Sequence, residues 1–487
     1  MNTNTTKIED LILDDNGKDD RLRILKNGMT KYGCMTKPYP HISYSSCTAS
    51  TINLEAFTYI QGYYNNVNLN DSNNYIEEFQ NIRDDLRKIL GLKDDVDICL
   101  SASGTDLEML PYLCIPYGSK VNNIIIGPNE VGSGTLLAAD GCIFSEVDKT
   151  KYSLKKGKKL NGFEKFDIQL FTLPIRDENG NPANEEILLQ KISDILKIEK
   201  TQKTYTIIHS VYHSKTGLIK PLPENLIQLA KKDPNTILII DACQFRISRE
   251  TINDLLDKGC IVFITGSKFF AAPTFSAAAL IPNNLRDKAA FNKNIPDGLN
   301  FLYGRELFPK RWKSVNHFKL DNNLGLLLRW RAAIFEMQLF NSLSKDRILS
   351  TITIFNNCIE KLEKKHTDFI IYSQIDKNEK DYDLLMSQTI CTFGFKDKDI
   401  DIEKAKEIYQ QLISKEWLDQ EFPYSVHLGQ PVKIKQYNGK WLGTLRIALS
   451  AKFFVNYSGK VKSVQEDFIY KEIEYIFKAI EKIIKKF

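Results

Sequence analysis

The sequence predicts an α/β protein, a mostly parallel sheet covered by helices, followed by a smaller α+β domain. Three observations carry the prediction. Between about residues 120 and 282, short apolar and often β-branched runs alternate with turns and polar or helical stretches. Near-continuous apolarity of this kind marks strands buried on both faces. Segments of helical period lie between the runs, where βαβ crossovers need them. After about residue 320 the format changes to long amphipathic stretches with a few shorter strand-like pieces.

The runs are, in order, "NNIIIGP", "FDIQLFTLPI", "YTIIHSV", "NTILIIDA", "CIVFITGS" and "SAAALIP". "NEEILLQKISDILKIEK", residues 184–200, carries Ile187, Leu188, Ile192, Ile195 and Leu196 at helical spacing, and "PENLIQLAKKD" and "SRETINDLLDKG" resemble it. Only about eight residues separate "FITGS" from "SAAAL", too few for a crossover helix, so that pair is expected to be antiparallel. Downstream come a long amphipathic stretch over 324–365, strands at "QTICTFGF" and "GTLRIALSA", and a closing helix with Ile469, Ile473, Ile476, Ile480 and Ile483 on one side.

The totals bound the function. With 487 residues, 43% hydrophobic and 26% charged, the chain can bury a large core and is neither disordered nor fibrous. Its 66 basic and 61 acidic residues are intermingled rather than gathered into a stripe, which argues against nucleic-acid binding. The nine cysteines form no CxxC pair and no disulfide framework, and no apolar run has the length of a membrane span or a signal peptide. The expectation is a cytosolic protein without a membrane partner.

Three stretches carry chemistry. In "LSASGTDLEMLPYL", residues 100–113, Ser103, Gly104 and Thr105 lead into an apolar-periodic segment; free N–H groups and hydroxyls at a helix start suit an anion such as phosphate. An ordinary N-cap reads equally well. In "NTILIIDACQFR", Asp241 ends a buried strand, where open α/β sheets place ligand groups, and Gln244 follows if the chain turns after Ala242. In "CIVFITGSKFFAAPTFSAAALIP", Lys268 stands between two apolar runs, with the hydroxyls of Thr265 and Ser267 beside it. An unpaired ammonium there costs several kcal/mol. The lysine is therefore neutralised or covalently occupied, and a desolvated amine is the kind that makes Schiff bases. An anion site, an acid for a ring nitrogen and an amine for an aldehyde together suit pyridoxal 5'-phosphate.

The D-x-x-Q of "DACQ", followed 27 residues after its Asp by the Lys of "TGSK", resembles the fold type I pyridoxal-phosphate enzymes, in the class V aminotransferase and cysteine desulfurase branch. The resemblance implies an aspartate aminotransferase-like fold with a sheet of the seven-stranded type. It divides the chain into an arm or part of the small domain (1–60), a large cofactor domain (61–300), a connecting segment (301–330) and a small domain (331–487). It assigns the Schiff base to Lys268, the ring nitrogen to Asp241, the phenolic oxygen to Gln244, and the phosphate to Ser103, Gly104, Thr105 and Thr265, with Ser267 beside them. "HSVYHSKTG" is similar to the segment that ends the neighbouring strand and faces the cofactor, which brings in His209. "GTLRIALSA" resembles the strand whose arginine binds the substrate α-carboxylate, here Arg446, for which a structural ion pair is the other reading.

"VHLGQPV" is expected to close over the substrate and "HISYSSCTAS" to line the entrance. The resemblance further implies a homodimer with shared sites, with Tyr303 and Arg305 as the contribution to a partner. Two features depart from the branch. Ser267 stands where desulfurases have His, and Cys391, in "LLMSQTICTFGF", reads as a core thiol rather than a persulfide carrier. "GPNEVGSGTLLAADG" offers no ring-stacking aromatic before Phe144, which leaves Glu130 or a residue from elsewhere to cover the ring.

The expected function is aminotransfer at the α-carbon of an amino acid. A lyase of C–S or desulfurase type, a decarboxylase, and a non-catalytic cofactor-binding protein are the alternatives. "VGSGTLLAADG" fails the dinucleotide fingerprint, no P-loop exists, and His209 with His213 lacks a third ligand, so no metal is expected.

Overall fold

The computed structural model describes residues 7–69, 71–198, 204–373 and 379–486. The last two residues of the helix expected over 184–200, the first six of the chain and Phe487 lie outside them. A seven-stranded sheet forms the centre: β1 (Asp97–Ser101), β2 (Lys120–Ile126), β3 (Asp167–Leu173), β4 (Thr204–Val211), β5 (Thr236–Asp241), β6 (Ile261–Thr265) and β7 (Ala277–Ile281). Across the sheet the order is β1-β7-β6-β5-β4-β2-β3.

β7 runs antiparallel to both β6 and β1, with Val262 opposite Leu280 and Cys99 opposite Ala279, and the other pairs are parallel. The short β6–β7 connection dictates this reversal. Crossover helices Glu185–Leu196, Pro223–Ala230 and Arg249–Asp257 link β3 to β6 in turn. Asn184 and Ser248 cap two of them, each side-chain oxygen accepting from the backbone N–H three residues on at 3.1 Å.

All of β6 and β7 is buried. Each fully buried Ile, Val or Phe there contributes roughly 1.5–3 kcal/mol, which anchors the loop between the two strands. β3 departs from the two-face burial expected of "FDIQLFTLPI": it is an edge strand, and Asp167, Gln169 and Thr172 are exposed. β1, in "DICLS", is the strand that the run pattern missed. The helix expected after Thr105 is a 3₁₀ helix, Asp106–Cys114, fully buried with Pro111 inside it. Proline has no N–H to give and disfavours α geometry in the residue before it.

The stretch over 324–365 is two helices, Leu324–Asn341 and Lys345–Lys365, with Ser344 capping the second. The first is buried on nearly every side. A three-stranded antiparallel sheet follows, Thr444–Ala448, Ile390–Phe395 and Phe369–Ile371 in spatial order. The closing helix Lys462–Ile484 buries all five of its expected isoleucines. Ile42–Tyr44 pairs in parallel with Val426–Leu428, and Gly429 N donates to Arg446 O at 2.8 Å. These contacts bring the beginning and end of the chain over the carboxyl ends of β4, β5 and β6.

Candidate active site

A cavity of about 140 Å³ lies at those strand ends. That is close to the roughly 150 Å³ that holds a benzene ring. Ser103, Gly104, Thr105, Asp241, Gln244, Thr265, Ser267, Lys268 and Arg446 all line it. Thr48 and Cys47 from "HISYSSCTAS" and Gln430 and Pro431 from "VHLGQPV" complete its rim.

Asp241 is the last residue of β5. Its Oδ1 accepts from Cys243 N at 2.9 Å and its Oδ2 lies 3.3 Å from His209 Nε2. Burial alone would raise this carboxyl, but the His209 hydrogen bond and charge, with Lys268 adding, hold it well below the usual range. His209 is fully buried on β4 and its Nδ1 meets Glu108 at 2.9 Å. Burial opposes the imidazolium, yet the two carboxylates raise His209 to about 10. His209 thus lies behind Asp241 and does not line the cavity, which corrects the expectation of direct cofactor contact. The register that places Val211 beside Asp241 sets His209 two residues further back.

Lys268 follows β6 by three residues and is half-buried. Its ammonium has no hydrogen bond or ion pair among the described residues. Arg446 is buried on its strand and spends its donors on neutral oxygens: Gln430 O, Lys215 O and Thr48 Oγ1, each at 2.9 Å. It forms no ion pair among the described residues, so the structural-pair reading falls away.

The loop before the 3₁₀ helix is shaped by a close approach. A Cβ on Gly104 would lie 2.7 Å from Cys243 Sγ, so only glycine lets the two segments meet. Ser103 gives both its N–H and its hydroxyl to Asp106 Oδ2, at 2.7 and 2.6 Å, while the N–H groups of Gly104 and Thr105 have no partner among the described residues. Thr265 donates its hydroxyl to Cys243 O at 2.6 Å. Gln244 donates to Cys47 O at 3.1 Å and accepts from Arg246 at 2.9 Å.

Several cavity residues escaped the sequence reading. Arg21 reaches in from the N-terminal segment, 3.0 Å from Ser103 Oγ, and is paired with Asp19. Lys215 also lines the cavity; burial, then the charges of Arg446 and Lys268, push its ammonium down to about 7. His213, weighed with His209 in the sequence, lines the cavity too, buried at a left-handed φ of 59° with neither ring nitrogen hydrogen-bonded among the described residues.

Four further residues singled out in the sequence occupy definite places. Glu130 is held by Arg176, Ser214 and Thr216, and those bonds fix it at the cavity wall. Tyr303 is buried, with its hydroxyl on Asp106 O, and Arg305 bonds the carbonyls of Phe308, Pro309 and Lys310. Cys391 is buried in a strand outside the cavity, and burial raises its thiol far above the ordinary value.

The donor set fits pyridoxal phosphate. Free N–H groups and Arg21 suit a dianionic phosphate, an ionised Asp241 suits a ring N–H, and an unpartnered amine suits an aldehyde. No family model and no curated protein sequence matches the chain. Solved structures do. A NifS-like protein from Rickettsia africae aligns with a TM-score of 0.52 at 15% identity, covering 92% of this chain and 100% of its own. A cysteine desulfurase from Escherichia coli aligns at 0.52 and 12%, covering 90% and 94%. A ureidoglycine–glyoxylate aminotransferase from Bacillus subtilis aligns at 0.50 and 11%, covering 85% of each chain. At these identities the likeness is one of fold, and the chain has the aspartate aminotransferase-like fold that these proteins share.

Proposed function

We propose that the protein is a pyridoxal-phosphate-dependent enzyme acting at the α-carbon of an amino acid, with aminotransfer as its reaction. One observation carries the reading: an unpartnered Lys268 shares a cavity with Asp241, whose carboxylate His209 keeps ionised. Lys268 holds the cofactor's aldehyde, Asp241 the ring nitrogen, and Gln244 the phenolic oxygen. Gly104, Thr105 and Arg21 receive the phosphate, with Ser103, Thr265 and Ser267 around it. Bound there, the protonated ring serves as an electron sink. Lys268, with its amine free, would move the proton at the substrate's Cα. Arg446 takes the α-carboxylate in a bidentate fork.

Elimination at Cβ is a second reading. It is favoured by Cys47, a free thiol lining the same cavity: its sulfur would attack the substrate's sulfur as the C–S bond breaks, the bonding pair passing to Cβ, which then takes a proton. The proposal extends to a homodimer, and nine buried free thiols suit a reducing, cytosolic setting. No helix among the described residues is long and apolar enough to cross a membrane.

Purified protein loaded with the cofactor is expected to be yellow and to bleach with hydroxylamine. A panel of amino acids then separates the reactions by keto acid, ammonia, sulfide or CO₂. Colourless protein that takes up no cofactor rejects the reading.

A further inference from the structure

Four cationic side chains line the cavity: Arg21, Lys215, Lys268 and Arg446. Two carboxylates face them, and both are committed. Asp241 is engaged by His209, and Glu130 by Arg176 together with the hydroxyls of Ser214 and Thr216. Arg21 has Asp19 and the Ser103–Thr105 loop. On the proposed function, on which this inference rests, Lys268 is taken by the aldehyde and Arg446 by the α-carboxylate. Lys215 is the cation left over.

Its backbone position is fixed at both ends. Lys215 N donates to Glu130 O at 3.3 Å, and Lys215 O accepts from Arg446 Nη1 at 2.9 Å. The residue is therefore pinned beside the arginine, and its ammonium forms no ion pair among the described residues. Lys215 is half-buried and feels the charge of Glu130 without pairing to it; a cation partly withdrawn from water without a paired counter-charge is costly, and a ligand that brings one recovers that cost on binding.

We infer that the substrate is an amino acid with an anionic side chain, a second carboxylate or an acid of similar shape, and that Lys215 selects it. The unpaired cations at 446 and 215 form a two-point receptor for a dianion. A neutral amino acid would satisfy the arginine and leave the lysine uncompensated. The depressed ammonium of Lys215 is consistent with this: a bound anion raises it again and keeps the residue charged.

The test uses non-reacting probes on the cofactor-loaded protein. Succinate and glutarate are titrated calorimetrically against butyrate and pentanoate, their monoacid counterparts, while the visible absorbance of the cofactor is recorded. At least one diacid is expected to bind about tenfold or more tightly than the monoacid of equal length, the effect of one added charge-assisted contact. Lys215→Met is expected to bring that ratio to near one, and Lys215→Arg to preserve it. Equal affinities in the wild-type protein overturn the inference without any variant, as does a ratio that survives in Lys215→Met. The absorbance reports separately on the underlying reading. A diacid preference in protein that binds no cofactor keeps the receptor and rejects the enzyme, whereas yellow protein with no preference does the reverse.

Discussion

His209 Nε2 stands 3.3 Å from Asp241 Oδ2 while its other nitrogen meets Glu108, so one buried imidazolium serves two carboxylates, one buried and one facing the cavity. Through this relay β4 and the 3₁₀ helix set the charge of the group that faces the cavity.

Removing the imidazole leaves both carboxylates unpaired. His209→Leu is expected to cost about 3–5 kcal/mol. The pH dependence has a definite sign. His209 is raised in the folded state, so its contribution is fully present below its ordinary value of 6.5 and is lost as pH rises toward about 10. The difference in Tm between wild type and variant should be largest near pH 6 and shrink by pH 10. A difference that does not change with pH contradicts the charged relay.

Gly104→Ala forces a Cβ onto Cys243 Sγ and is expected to destabilise by about 1–3 kcal/mol. Cys243→Ala in the same chain makes room and should restore most of the loss. Denaturant unfolding of the two single variants and the double variant reads the coupling. Additive losses would mean that the two segments do not meet there.

Arg21→Ala is expected to weaken cofactor binding about tenfold or more, because a charge-assisted contact to the phosphate is lost. Arg446→Ala should instead act on the substrate, raising KM with little change in kcat. Equilibrium dialysis against the cofactor and steady-state kinetics separate the two arginines. An unchanged KM in Arg446→Ala rejects the carboxylate role.

Cys391 should resist iodoacetamide in the native protein and react after unfolding, since burial keeps its thiol protonated. Labelling with peptide mapping decides this. Rapid native labelling would mean that its strand opens.

The sheet and its central pair were legible because the information is local. Asp241 and Lys268 each follow an apolar run directly, so strand ends could be read and both residues placed at one edge. The antiparallel β7 followed from loop length alone. Arg21 was not legible: it sits in the charge-dense "DDNGKDDRLRIL", and Ser103, which it meets, is 82 residues away. Lys215 lay in a segment already expected at the site, but no local pattern marks a lysine as lacking a partner. β1 escaped because "DICLS" starts on an acid and runs straight into a small-residue loop, although its partner β7 buries it completely. His209 was read as a contact because a strand pattern gives the side of the sheet but not the depth along it.

Two lysines line the cavity, so the identity of the one that holds the cofactor is the sharpest question. Borohydride reduction of the loaded protein, followed by proteolysis and mass spectrometry, fixes the pyridoxyl group to the amine that carries it. The label is expected on Lys268. A label on Lys215, or none on either, would contradict the account.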